Sequence, residues 1–357
     1  MTSEVEPTYS PGPNPTLKRA WERQRTYSKN ATAAQKRFFL LRIGILVLSV
    51  LATLLAVVHS ELVDVLGDSH QTVKVIHYIL LLVPIALSVL LAGAVKFDKG
   101  GNWILLRGSA EAIKREIYCY RAQVGEYSDN TSRDAKLARK VKVISQRLKG
   151  TTVHHTSFSP YEGEVSRRKR SSLSKDKTSK DKKHQEAQQH HQDDKFSDLI
   201  PEHYLVWRVE DQFKWYRKRT RKLDIQLHGY QWGVYILGGV GSFLVALGQD
   251  TSVAVTTALA AAFSSFLELK RVETTLIAYN QAADDLYDIS TWWHGLSDEE
   301  KLEKFELLVI STERTIQSEN VGWVQEMNDA LAELYGETEQ SEDKGTNPSP
   351  SKKVDTK

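Results

Sequence analysis

Residues 38–58 read FFLLRIGILVLSVLATLLAVV, and residues 75–95 read VIHYILLLVPIALSVLLAGAV. At a rise of about 1.5 Å per residue, each run makes a helix about 30 Å long, the thickness of a bilayer's hydrocarbon core. The first run carries a single charge, Arg42, near its N-terminal end, where a long side chain can snorkel to the headgroups. In the second, His77 lies near the entrance and Pro84 near the middle. Proline lacks the N–H of a helix hydrogen bond and crowds the preceding turn, which predicts a kink there. Two adjacent runs of this length predict a transmembrane hairpin.

A second pair is less apolar. Residues 229–247 (GYQWGVYILGGVGSFLVAL) and 251–267 (TSVAVTTALAAAFSSFL) carry no charge and are rich in Gly, Ala, Ser and Thr. A soluble helical hairpin competes with a membrane hairpin here. The short connection Gly248-Gln249-Asp250 and the charged flanks favour the membrane. The expected fold class is therefore an all-α integral membrane protein with two transmembrane hairpins (four spans) and long cytoplasmic helices forming a helical bundle.

The flanks also set orientation. Lys18, Arg19, Arg23, Arg25, Lys29, Lys36 and Arg37 precede the first hairpin, and Lys96, Lys99 and Arg107 follow it, whereas residues 59–74 hold Glu61, Asp64 and Asp68 against Lys74. The second hairpin repeats the pattern, with Lys214, Arg217, Lys218, Arg219, Arg221 and Lys222 before it and Lys270 and Arg271 after it. The positive-inside rule then places both termini and the middle region in the cytoplasm, with the chain in the plasma membrane as a multi-pass protein. The acidic, proline-rich N-terminus does not have the layout of a cleaved signal peptide. The single cysteine, Cys119, leaves no intramolecular disulfide and no cysteine-built zinc site. A net charge of +3 on 357 residues points to no polyanionic partner, and no nucleic acid is expected.

Each half of the chain follows one plan. A basic helix with aromatics (Trp21, Gln24, Tyr27; then Trp207, Gln212, Trp215, Tyr216) leads into an apolar hairpin, and a long helix leaves it. The exit helices carry stripes at three- and four-residue steps: Trp103, Leu106, Ala110, Ile113, Ile117, Tyr120 and Val124 in the first, Val272, Leu276, Tyr279, Ala283, Leu286 and Trp293 in the second. A final helix, expected over roughly 298–335, shows a coiled-coil-like series through Leu302, Phe305, Val309, Thr312, Ile316, Glu319, Trp323 and Met327. Glu319 interrupts this series, either as a buried, paired carboxylate that fixes register or as an edge group reaching solvent. The domain plan is a disordered N-terminus (1–15), a first unit (16–165, spans 38–58 and 75–95), a disordered basic linker (166–199), a second unit (200–336, spans 229–247 and 251–267) and a disordered tail (337–357). The low-complexity run RRKRSSLSKDKTSKDKKHQEAQQHHQDDK has too little apolar surface to offset the entropy of ordering it.

This plan resembles a tandem copy of the SLATT domain, the two-transmembrane effector family of prokaryotic nucleotide-linked conflict systems. In the first copy the resemblance is carried by the hairpin, by the exit helix NWILLRGSAEAIKREIYCYRAQVGEY and by RDAKLARKVKVISQRLKGTTVHHTSFSPYEG. In the second it is carried by EDQFKWYRKR, by the hairpin and by KFELLVISTERTIQSENVGWVQEM with its Glu319-x-x-x-Trp323 pair. The resemblance implies a pore-forming or membrane-perturbing effector of a prokaryotic defence system, triggered in trans by a cytoplasmic sensor protein.

No phosphate-binding glycine loop, nucleophile elbow or HExxH motif is present, so neither catalysis nor a cofactor is expected. His154, His155, His184, His190 and His191 lie in the linker region, where such clusters are common without a metal. Within the second hairpin, small residues recur at Gly229, Gly233, Gly238 and Ser242, and again at Ala254, Ala258 and Ala262, which suits close helix packing. Thr256, Thr257, Ser264 and Ser265 are hydroxyls that could line water, or could bond their own backbone. Four helices leave little room for a channel, so a pore requires a homo-oligomer in the lipid bilayer. The rival expectation is a non-conducting membrane scaffold or sensor whose cytoplasmic helices dock a soluble partner.

Overall fold

A computed structural model describes residues 14–67, 69–97, 101–149, 151, 193–320, 322, 324 and 325. Among the described residues the chain is helical, with no strand. The helices are α1 (Pro15–Leu66), α2 (Gln71–Phe97), α3 (Gly101–Ala122), α4 (Arg133–Arg147), α5 (Pro201–Tyr204), α6 (Asp211–Ala246), α7 (Asp250–Leu269), α8 (Val272–His294), α9 (Asp298–Glu303) and α10 (305–320). A 3₁₀ turn, Gly125–Tyr127, lies between α3 and α4, and the π-helical turn Leu205–Glu210 joins α5 to α6 without a break. The chain divides into two compact units that do not follow the two halves of the sequence.

The first unit comprises Met1–Ala33, Leu105–Lys222 and Leu276–Val321. Asn14 opens it as the N-cap of α1: its Oδ1 accepts the Thr16 and Leu17 N–H groups at 2.9 and 3.2 Å, and Pro15 follows at the first helical position. Asn14 and Pro15, within the stretch whose composition suggests disorder, are thus part of a capped helix start. The core draws on both halves, with Leu17, Trp21 and Tyr27 of α1, Ile113 and Ile117 of α3, Tyr204 and Val209, Ala283 and Leu286 of α8, and Leu308 and Val309 of α10. Burying a large apolar side chain contributes roughly 1.5–3 kcal/mol, so these stripes hold the unit together.

Two segments depart from the expectations. Residues 193–199, assigned by composition to the disordered linker, are pinned. The Arg121 guanidinium, buried in α3, binds Asp193 at 2.6 and 3.0 Å and donates to the Ser197 carbonyl, while the Leu199 N–H reaches the Arg121 carbonyl at 2.7 Å. Trp21 Nε1 donates to the Lys195 carbonyl at 2.8 Å. Composition missed this because the anchoring arginine lies 72 positions away. The rest of the linker, the first 13 residues, the tail and the five linker histidines lie outside the described residues.

The second departure is the final helix, which is two helices. A capping box formed by Ser297 and Glu300 starts α9, and the chain turns at Lys304, whose N–H bonds the Glu300 carbonyl. Leu302, expected in the seam, is therefore 76% exposed, and the buried series begins afresh in α10 with Leu308, Val309, Thr312, Glu313 and Ile316.

The second unit comprises Ala34–Ile104, Leu223–Thr275 and Gly322–Lys357. Its helices turn at Gly67 and Gly248, both at positive φ (78° and 74°). At Gly248 the Gln249 N–H bonds the Leu244 carbonyl and the Gly248 N–H bonds that of Val245, a Schellman closure that needs glycine at its left-handed position. Helical structure continues through Pro84, where Ser88 Oγ donates to the proline carbonyl. Among the described residues, three stretches are long and apolar enough to cross a membrane: Pro15–Leu66, Gln71–Ala94 and Asp250–His294, with 6% of each apolar window buried. The apolar half of α6 is not among them, because Tyr230, Gln231, Trp232 and Tyr235 lower its hydropathy.

Candidate functional site: a buried ionic network and the small-residue hairpin

A π turn joins α5 to α6, and Tyr204, Leu205, Arg208 and Val209, at i, i+1, i+4 and i+5, are all buried in the first unit. Arg208 meets Glu313 of α10 in a two-pronged ion pair, Nε to Oε1 and Nη2 to Oε2, both at 2.7 Å, and both residues are essentially water-free. The Tyr204 hydroxyl donates to the same carboxylate at 3.0 Å. Arg208 Nη1 makes no hydrogen bond among the described residues, but the guanidinium carbon sits 4.2 Å over the Tyr118 ring of α3. Burial lowers the proton affinity of Arg208, yet Glu313 more than reverses this and keeps the arginine charged. Burial pushes the Tyr204 hydroxyl far up, with Glu313 adding to the shift, so it stays a donor.

Charges on α3 complete the surroundings. Burial disfavours the charged form of Glu111, but Lys114, Arg107 and Arg208 outweigh it and hold the carboxyl below its usual range. Burial lowers the Lys114 ammonium in turn. The neighbouring Cys119 thiol is pushed up to about 12 by burial, with Glu313 and Glu116 reinforcing it, and so remains protonated and a poor nucleophile.

A second polar contact ties α10 to α6. The Tyr216 hydroxyl donates to Glu319 Oε2 at 3.0 Å, and Tyr216 packs with Trp215 and Tyr279 at ring separations of 5.0–5.4 Å. Burial raises the Glu319 carboxyl to about 7; Tyr216 opposes the rise, Glu111 adds to it and Arg107 opposes it. Glu319 is half-buried and accepts this one hydrogen bond. Its proposed companion Trp323 lies outside the described residues. The hydrogen bonds of Tyr204, Arg208 and Tyr216 to Glu313 and Glu319 tie α5, the π turn and α6 to α10, and the Arg208–Tyr118 ring contact adds α3.

The small-residue positions fall into two classes. A Cβ at Gly233 would lie 2.7 Å from the Phe263 ring, and one at Gly241 would lie 2.9 Å from Thr256 Oγ1, so α6 and α7 approach closely there. A Cβ at Gly229 or Gly238 would meet nothing within 4 Å. Gly229, Gly238, Ser242 and Ala254 are exposed, and Ala258 and Ala262 are half-buried. The Ser242 hydroxyl bonds the Gly238 carbonyl, and Thr256, buried, bonds that of Val253. Thr257, Ser264 and Ser265 face outward.

Sequence reasoning singled out none of Arg208, Glu313, Tyr204, Arg121 or Asp193. The available signal was a charge on an otherwise inward stripe: Arg208 lies between Leu205 and Val209, and Glu313 between Val309 and Ile316. Among the described residues no group of three His, Cys, Asp or Glu side chains could hold a metal ion.

Among the described residues the chain is all-helical and includes three stretches long and apolar enough to cross a bilayer, which makes it an all-helical membrane protein by class. Residues 204–323 match the family described as SMODS and SLOG-associating 2TM effector domain 1, and residues 22–135 match a related family of unknown function, DUF4231. Residues 204–323 thus carry a SLATT-family domain. No curated protein and no solved structure matches it.

Proposed function

We propose that the chain is a multi-pass effector of a prokaryotic defence system that perturbs the plasma membrane as a homo-oligomer. Four helices cross the bilayer as two hairpins, with α6 as the third span, and both termini and the middle region are cytoplasmic. The observation that carries this reading is the bareness of the other three spans: only 6% of each apolar window is buried within the chain, so lipid or further copies must cover the rest. The effector domain matched at residues 204–323 supports it, and that match overlaps the hairpin richest in small and hydroxylated residues. In an oligomer, the outward-facing Thr257, Ser264 and Ser265 of neighbouring copies line a water path. The chain acts by this physical disruption and not as an enzyme, and a soluble cytoplasmic protein triggers it.

Exposed Leu302, Leu307 and Ile310 on α9 and α10 favour a second reading, a scaffold whose cytoplasmic helices dock a partner without conduction. Ion release from liposomes separates the two. Leak through the intact protein that disappears when residues 229–267 are deleted supports the effector. Leak that persists in the deletion variant sinks it.

A further inference from the structure

The outward face of α6 changes character along its length. Lys214, Arg217, Lys218, Arg221 and Lys222 recur at three- and four-residue steps, all exposed. The same stripe continues through Ile225, 64% exposed, to Trp232 and Tyr235, 64% and 67% exposed. The opposite stripe, Tyr216, Thr220 and Leu227, is buried. The exposed stripe is thus cationic first and then apolar and aromatic, as a helix passing from water through headgroups into hydrocarbon requires.

The cations on this stripe have little else to bind. Lys214 pairs with Glu210 at 2.9 Å, and Arg219, beside the stripe, lies over the Trp215 ring. Arg217, Lys218, Arg221 and Lys222 make no ion pair among the described residues. No acidic residue occurs between Lys214 and Asp224, and Asp224 is itself engaged by His228 at 3.1 Å. Lys222 precedes the span at Gly229 by about 10 Å of helix and Arg217 by about 18 Å. Long side chains bring Arg221 and Lys222 to the phosphate level. Arg217 and Lys218 lie farther out, near the Debye length of about 8 Å from it, where an anionic surface still attracts them.

We infer that this face of α6 is a binding surface for anionic lipid headgroups of the cytoplasmic leaflet. The inference rests on the reading that α6 crosses the membrane. Charge complementarity and continuity with the apolar stripe identify the occupant: a lipid satisfies both ends at once, with phosphate on the cations and acyl chain along Ile225 and Trp232.

The test uses full-length protein in detergent, equilibrated with equimolar phosphatidylglycerol and phosphatidylcholine, with retained lipid counted by native mass spectrometry. Enrichment of the anionic lipid by about threefold or more is expected, weakening at high salt. The variant R217Q/K218Q/R221Q/K222Q should bring the ratio to one, while R217K/R221K keeps it. Removing four exposed cations of α4 and its C-terminal end (R139Q/K142Q/R147Q/K149Q) controls for net charge and should leave the ratio unchanged. No enrichment, or enrichment the glutamine variant retains, overturns the inference, as does wild-type retention of an oligonucleotide in place of lipid. In parallel, maleimide labelling of Gln249→Cys in a Cys119→Ser background reports whether α6 crosses. Labelling from the side of the termini overturns both readings. Labelling from the opposite side with a flat lipid ratio overturns the lipid surface alone.

Discussion

Arg208 and Glu313, 105 positions apart, face each other through two 2.7 Å hydrogen bonds in a water-free part of the first unit. Removing one partner strands the other as a buried, uncompensated charge, at a cost of about 3–5 kcal/mol. Glu313→Gln should therefore lower the thermal midpoint of the detergent-purified protein sharply. The double variant Arg208→Met/Glu313→Leu should recover most of the loss, since it strands nothing. A double variant as unstable as the single one would show that the pair is not the unit of stability.

Glu319 gives the fold a pH dependence of definite sign. Its native value of about 7 lies above the ordinary 4.5, so the native state binds the extra proton between those values. Stability from this group is fully present below about pH 4.5 and is lost as the pH rises through about 7. Thermal midpoints should fall across that window, and Glu319→Gln should flatten the fall. A wild-type curve no steeper than the variant's would exclude the effect.

Two glycines of α6 should respond differently to leucine. Gly233→Leu drives a side chain into Phe263 and should destabilise the hairpin by about 1–3 kcal/mol, with lower expression. A Cβ at Gly238 meets nothing within 4 Å and Ser242 is exposed, so Gly238→Leu with Ser242→Leu should leave the monomer's stability intact. If that outward face joins copies, the second variant should lose oligomer on crosslinking and lose liposome leak. Wild-type oligomer and leak would remove the face from the proposed assembly.

The Arg121–Asp193 clasp and the shared core predict that the two halves outlast a cut between them. A protease site placed between residues 166 and 190, once cleaved, should leave both fragments co-eluting from size exclusion. Arg121→Ala abolishes a pair with the arginine fully buried and should make the fragments separate at lower denaturant.

Cys119 should label slowly. With its thiol pushed up to about 12, maleimide at neutral pH should modify it far more slowly than a free thiol and catch up only on unfolding. Rapid labelling of the folded protein would contradict the burial described.

Much of the architecture is legible in the sequence, residue by residue. The first exit stripe, Trp103 through Val124, is buried at all seven positions read from its spacing. In the second, Val272, Ala283, Leu286 and Trp293 are buried too. The stripe reading failed at Leu302, because a break of one residue at Lys304 resets helical phase and spacing alone cannot see it. It also failed at 193–199, where low-complexity neighbours masked an acidic turn.

By itself, the sequence determined the helical class, the apolar runs, the charge asymmetry of their flanks and the inward stripes. Each depends on a local quantity, either hydrocarbon thickness set against helix rise or side chains recurring at the helical period. Only the tertiary structure decided that Arg208 meets Glu313, that Arg121 holds Asp193, and that Gly233 rather than Gly238 sits under an aromatic ring. Those pairings depend on which faces of distant helices come together and at what rotation. The six-residue π turn at Leu205–Glu210 changes that rotation, and it leaves no periodic trace in the chain.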